Sequence, residues 1–207
     1  MIIAITGSVG SGKSRVAGYL AAISKAEHFD TDAVCRDLLE KNQPGWRSVV
    51  EKWGNRFVER DGSIDRSSLR IAIFQDERLR RELEDILHPH VRKAVKQLYE
   101  KTVGHGQILI VEIPLLFEVG WQDDFDCIVT VFAEREVCVH RVMARDAVPA
   151  EQAEKVYDSQ MDIHEKMNRS DCIIDNSTSL ENMQRQVEDL YRDLQLQRNK
   201  SSYKYRG

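Results

Sequence analysis

Residues 5–15 read ITGSVGSGKSR, and within them Gly7, four further residues, Gly12, Lys13 and Ser14 fill the pattern G-x-x-x-x-G-K-[ST]. A loop so rich in glycine can curl until successive N–H groups point inward. A helix starting at its end adds partial positive charge, and the result is a cradle for phosphate oxygens. The residues expected to line it are Gly10, Ser11, Gly12, Lys13, Ser14 and Arg15. Lys13 would reach the β and γ phosphates, and the Ser14 hydroxyl would hold Mg²⁺. The other reading is a glycine-rich turn that merely packs tightly; the complete motif between a strand and a helix stands against it. Nucleoside-triphosphate binding is therefore expected.

Binding alone does not name a reaction, since such loops serve GTPases, motor ATPases and small-molecule kinases. A GTPase would carry D-x-x-G and an N-K-x-D-like guanine reader, and neither occurs. Instead FDTD places Asp30 and Asp32 after a short strand, where strand ends gather around phosphates. An aspartate there can accept the proton of an attacking hydroxyl. Alternatively, Thr31 or Asp32 caps a helix beginning at Ala33. In VHRVMARDA, Arg141 and Arg145 stand four apart on one helical face. They read as lid cations for a transferring phosphoryl group, or as a solvated basic face paired with Glu134, Glu136 or Asp146. In ILHPHVR, His88 and Arg92 at i and i+4 could grip an anionic substrate. A surface helix explains that pair as well.

The elements that must position these groups are visible as apolar runs. IIAIT (2–6), QILIVEI (107–113), CIVTVFA (127–133) and CIID (172–175) are continuous and rich in β-branched residues, as suits parallel strands buried on both faces. A fifth, short strand ends at HFD (28–30). Amphipathic stretches between them predict an α/β fold with a mainly parallel five-stranded sheet flanked by helices. From about Ala33 to Val103 no comparable run occurs, and the segment reads as a helical insertion with a turn at DGS (61–63).

With 207 residues, 42% of them hydrophobic, the chain can bury one sizeable core, and one domain is expected. Thirty basic residues against thirty-four acidic ones give a charge of −4, no surplus that would favour nucleic acid or an anionic membrane. Four cysteines far apart, without a C-x-x-C pair, argue against a zinc site or a disulfide framework and fit a reducing cytosol. No signal peptide or membrane span is legible, so a cytoplasmic protein is expected. The tail QLQRNKSSYKYRG is polar and basic and reads as a frayed terminus.

The segments TGSVGSGKS, DTD, GNRFVERDGSIDRSSLR, IFQD, LEDILHPHVR, EIPLLFE, RVMARD, SQM and IIDN occur in an order and at spacings that resemble the dephospho-coenzyme A kinase family over nearly the whole chain. The resemblance implies transfer of the ATP γ-phosphoryl group to the ribose 3′-hydroxyl of dephospho-CoA, the last step of coenzyme A synthesis, with Mg²⁺ accompanying ATP. It implies a P-loop kinase core, a CoA-binding insertion at about 33–103 and a lid at about 138–165. Residue by residue, it implies Asp32 as catalytic aspartate, Lys13 and Ser14 as the loop pair, Arg141 and Arg145 as lid arginines, and His88, Pro114 and Leu115 as substrate-facing. ATP and dephospho-CoA are the expected partners, without nucleic acid or membrane, in a monomer or weak homo-oligomer. The chain departs from the family pattern at Arg15 (usually Thr), Thr31 (commonly Ala), Glu112 (frequently Asp) and Ala147 (usually Gly). A P-loop kinase for another nucleotide or nucleoside, and a non-catalytic nucleotide-binding regulator, stay open at this point; Asp32 favours an enzyme.

Overall fold

The computed structural model describes residues 1–102 and 107–198. Along the chain run β1 (Ile2–Gly7), α1 (Lys13–Ser24), β2 (Glu27–Asp30), α2 (Thr31–Leu38), α3 (Pro44–Trp53), α4 (Arg66–Gln75) and α5 (Glu77–Thr102). Then follow β3 (Leu109–Glu112), β4 (Cys127–Phe132), α6 (Arg135–Asp146), α7 (Ala150–Asp158), α8 (Ile163–Asn168), β5 (Cys172–Asp175) and α9 (Leu180–Arg198). Two compact units emerge: Met1–Asp30 with the chain from Leu98 onward, and Thr31–Gln97.

The first unit is built on a five-stranded sheet in the order β2-β3-β1-β4-β5, with every neighbouring pair parallel. Its central strands are apolar on both faces because both are covered: all of β1 and β3 is buried. On one face Ile3, Ile5, Ile110, Val129 and Val131 meet Val16, Ala17 and Leu20 of α1 and Met183, Val187, Leu190 and Leu194 of α9. The three- and four-residue spacing of those helical positions is the apolar stripe that seats each helix on the sheet. Glu112 falls on this same face, because the register sets it beside Ile5.

A charged group is also enclosed in this unit. The Lys166 side chain, on α8, has no exposure; its Nζ donates to the Pro114 carbonyl at 2.8 Å and lies 2.7 Å from Glu118 Oε1. Thr6 Oγ1 donates to the same carbonyl at 3.3 Å, so the turn after β3 is held from two sides.

The second unit has its own core of Val49, Phe57, Ile64, Leu69, Leu79, Leu83 and Leu87, the last three on one stripe of α5. Its DGS turn forms as expected: Asp61 Oδ1 accepts from Ser63 N at 2.9 Å and from Ser63 Oγ at 2.7 Å, and Val58 bridges Ile64 antiparallel across it. Asp65 caps α4 by accepting from Ser68 N at 2.9 Å.

The sheet bears out the mainly parallel reading, with every named pair parallel, while several element bounds differ from the sequence reading. β3 covers 109–112 instead of 107–113. α2 starts at Thr31, so Asp32 is a first-turn residue and not the cap of a helix beginning at Ala33. α9 continues through Arg198, so residues 195–198 of the basic tail are helical, while 199–207 lie outside the described residues. Among the described residues no helix is long and apolar enough to cross a membrane.

The Lys166 site makes an asymmetric prediction. Glu118→Ala leaves an enclosed ammonium short of its counter-charge, whereas Lys166→Met leaves a carboxylate that is 23% exposed and can hydrate. Glu118→Ala should cost about 3 kcal/mol, lowering the melting temperature by roughly 6–12 °C in a chain of this size. Lys166→Met should lower it by less than half as much in thermal melts at neutral pH.

Candidate active site

The loop between β1 and α1 is shaped by crowding as much as by its own torsions. At Gly12 φ is +91°, and a Cβ there would stand 2.2 Å from Asn176 Nδ2. At Gly10 φ is +79°, and a Cβ would stand 2.4 Å from the Cys138 carbonyl oxygen. Both positions thus demand a residue without a side chain, for conformational and for steric reasons.

Side chains from distant segments hold the loop's carbonyls. Arg141 Nη1 donates to Gly10 O and Ser11 O, each at 3.3 Å, and its Nη2 donates to Asn176 O at 3.0 Å. Asn176 Nδ2 donates to Ser11 O at 2.7 Å. On the other side of the peptide, Val9 N donates to Gln160 Oε1 at 2.7 Å. Pinned in this way, the loop keeps the curled form that turns amides toward a phosphate. Lys13 is buried and lies along the inside of the loop, its Nζ donating to Gly7 O at 3.2 Å and Ser8 O at 3.0 Å.

Ser14, in the first turn of α1, donates from Oγ to Glu112 Oε1 at 2.7 Å. Glu112 ends β3 and is buried; His28 Nε2, from β2, lies 3.3 Å from its Oε2. Burial pushes the Glu112 carboxyl up, but the contacts from His28 and Ser14 and the charge of Lys13 together outweigh it and hold the group below its ordinary range. The result is an ionised carboxylate beside a hydroxyl at the mouth of a phosphate loop. Hard oxygen donors of this kind suit Mg²⁺.

The remaining expected residues take different places. Arg15 is exposed on the first turn of α1, a cation that the helix N-terminus alone disfavours. Arg141 reaches the loop, whereas Arg145 makes two 2.8 Å bonds to the Asp146 carboxylate, the solvated pairing that was its alternative reading. Ala147 ends α6 with φ +52°, a left-handed position that glycine would occupy without strain. Pro114 and Leu115 are half-buried just after β3. Asp32, His88 and Arg92 belong to the helical unit. There burial lowers the proton affinity of His88, partly offset by Glu84 and Asp85, so its imidazole is less cationic at neutral pH than the sequence pair suggested.

Three contributors escaped the sequence reading. Asn176 directly follows β5, at the strand end where open α/β sheets bind ligands, a signal that could have found it. His28 carried one too, as a polar residue two before Asp30 on the same strand face. Gln160 lay within the quoted SQM segment, but nothing in its residue type assigned it a role, since only the fold brings it to Val9.

A family profile described as dephospho-CoA kinase matches residues 1–182. The chain is 34% identical over 188 residues to a protein named dephospho-CoA kinase from Fusobacterium nucleatum, covering 91% of this chain and 95% of that one. A crystal structure of a Thermus thermophilus protein superposes with TM-score 0.75 at 31% identity, covering 94% of this chain and 97% of the other. A Campylobacter jejuni dephospho-CoA kinase superposes with TM-score 0.67 at 24% identity, covering 93% and 96%, and shares the fold.

Because the folded-state pKa of Glu112 lies below its ordinary 4.5, its ionised form stabilises the fold above about that pH, and this contribution is lost as pH falls further. In chelator, the melting-temperature gap between wild type and Glu112→Gln should therefore be widest near neutrality and shrink below pH 4.5. A gap that stays constant down to pH 3 would show that Glu112 is not held ionised.

Proposed function

The chain belongs to the dephospho-CoA kinase family, and we propose that it transfers the γ-phosphoryl group of ATP to the ribose 3′-hydroxyl of dephospho-CoA. The observation that carries this reading is the phosphate loop itself, with Lys13 inside it, Ser14 set against Glu112, and Arg141 and Asn176 bracing it from outside.

Phosphoryl transfer passes through a loose transition state, so the protein contributes mostly position and charge. The amides of Gly10, Ser11, Gly12, Lys13 and Ser14 take the β and γ phosphates at the N-terminus of α1. Lys13 exchanges its bonds to Gly7 O and Ser8 O for phosphate oxygens and follows the γ group as it moves. Arg141 and Arg15 add positive charge that offsets a triphosphate, and Arg145 would join them by leaving the Asp146 carboxylate. Ser14 and Glu112 would hold Mg²⁺, which would supply positive charge to the phosphate oxygens.

Asp32 is assigned the acceptor's proton. As the ribose O3′ forms its bond to the γ phosphorus, the bond from that phosphorus to the β–γ bridging oxygen breaks, ADP leaves, and the hydroxyl proton passes to the Asp32 carboxylate. His88 and Arg92 are assigned to the anionic part of dephospho-CoA, and Pro114 and Leu115 to its apolar contacts.

Purified protein given Mg·ATP with dephospho-CoA, adenosine, AMP or CMP should phosphorylate dephospho-CoA at least ~10²-fold more efficiently than the others, a difference of about 2.7 kcal/mol in barrier. Mass spectrometry and product mapping would place the phosphate on O3′. Equal or better turnover of AMP or CMP would overturn the acceptor assignment.

A further inference from the structure

We propose that His28 is a positioning residue for the metal site, holding the Glu112 carboxylate in the orientation in which it meets a divalent cation beside Ser14. The proposal rests on the reading of Ser14 and Glu112 as cation donors. The geometry behind it is a buried carboxylate approached at both oxygens. Oε1 accepts from Ser14 Oγ at 2.7 Å, and Oε2, buried and outside hydrogen-bond geometry, lies 3.3 Å from His28 Nε2, within ion-pair distance.

The sheet register makes this arrangement possible. Asp30 pairs with Glu112 and His28 with Ile110, so His28, Asp30 and Glu112 all lie on one face of neighbouring parallel strands, with His28 diagonal to Glu112. That is the face α1 covers, so the two oxygens of one carboxylate meet a helix on one side and a strand on the other. The Glu112 side chain is 6% exposed and His28 27%, so water competes little at Oε2.

A glutamate at a strand end has three side-chain torsions to fix, each with an entropic cost. The Ser14 contact cannot be an anchor clear of the ligand, because it engages Oε1, the oxygen that a cation beside Ser14 would take. His28 can be, because the imidazole touches the far oxygen and leaves Oε1 and Ser14 turned toward the ligand. Carboxylates that bind metals are commonly fixed by such outer partners, and losing the partner costs roughly 10–100-fold in metal affinity or activity.

The test compares His28→Ala, His28→Gln and Glu112→Gln with wild type. ATP affinity is measured by calorimetry in Mg²⁺ and in EDTA, and kcat is followed against Mg²⁺ concentration. In His28→Ala the Mg²⁺ concentration for half-maximal effect should rise roughly tenfold. Its ATP affinity in EDTA should stay within about twofold of wild type, a factor worth ~0.4 kcal/mol. Glutamine can offer an amide N–H to the same oxygen, so His28→Gln should recover much of the loss, and it serves as the folded comparison should the alanine variant be unstable. Unchanged Mg²⁺ dependence in both His28 variants, with Glu112→Gln altered, would overturn the role of His28 while sparing the metal reading. Unchanged Mg²⁺ dependence in Glu112→Gln would overturn that reading, and the proposal with it.

Discussion

A loop that binds phosphate through bare amides must keep its own carbonyl oxygens away from the ligand, and in this chain other parts of the sequence meet that requirement. Arg141 and Asn176, more than 120 residues from the loop, take the carbonyls of Gly10 and Ser11. Each is one link in a chain of dependence. Asn176 stands where it does because β5 ends at Asp175 beside β4, and Arg141 because α6 follows β4. The glycines at 10 and 12 are the loop's side of the same bargain, since Cys138 and Asn176 leave no room for a Cβ. The parallel sheet, the helices after β4 and the last strand therefore all converge on one turn of backbone.

Charge is distributed around that turn in a balanced way. Lys13 and Glu112 are both buried, and the carboxylate feels the Lys13 charge while bonding to Ser14. Burying either ion alone would be costly, while the set of them, bonded to carbonyls and a hydroxyl with an imidazole 3.3 Å from the carboxylate, is tolerable. A triphosphate with its cation adds opposing charges to a site that already contains both signs. In the proposed reaction Lys13 would trade carbonyls for phosphate oxygens, a change of partners rather than a rebuilding of the loop.

The most legible features in the sequence were those whose physics is local. The loop follows from residue types at fixed spacing, the four apolar runs became strands, and the DGS turn is closed by the side chain of Asp61 itself. Less legible were features decided by what lies across the fold. QILIVEI looked like a uniform buried strand, yet Glu112 within it faces α1 and carries the charge, because strand register and not composition determines its neighbours. Arg141 and Arg145 looked equivalent at i and i+4, yet one reaches the loop and the other pairs with Asp146. The start of α2 at Thr31 likewise could not be separated from one at Ala33 by capping preference alone, since FDTD supplies several candidate caps.

The central claim is a division of labour: the braced backbone binds the triphosphate, and Lys13 acts chiefly on the moving γ-phosphoryl group. Lys13→Ala tests it most directly, with ATP affinity and single-turnover rate measured on the same preparation and melting temperature as the control for folding. The account predicts a rate lower by at least ~10²-fold, about 2.7 kcal/mol of barrier, with ATP affinity reduced by less than roughly tenfold. A variant that turns over within about twofold of wild type, or one that loses affinity and rate equally, would contradict it.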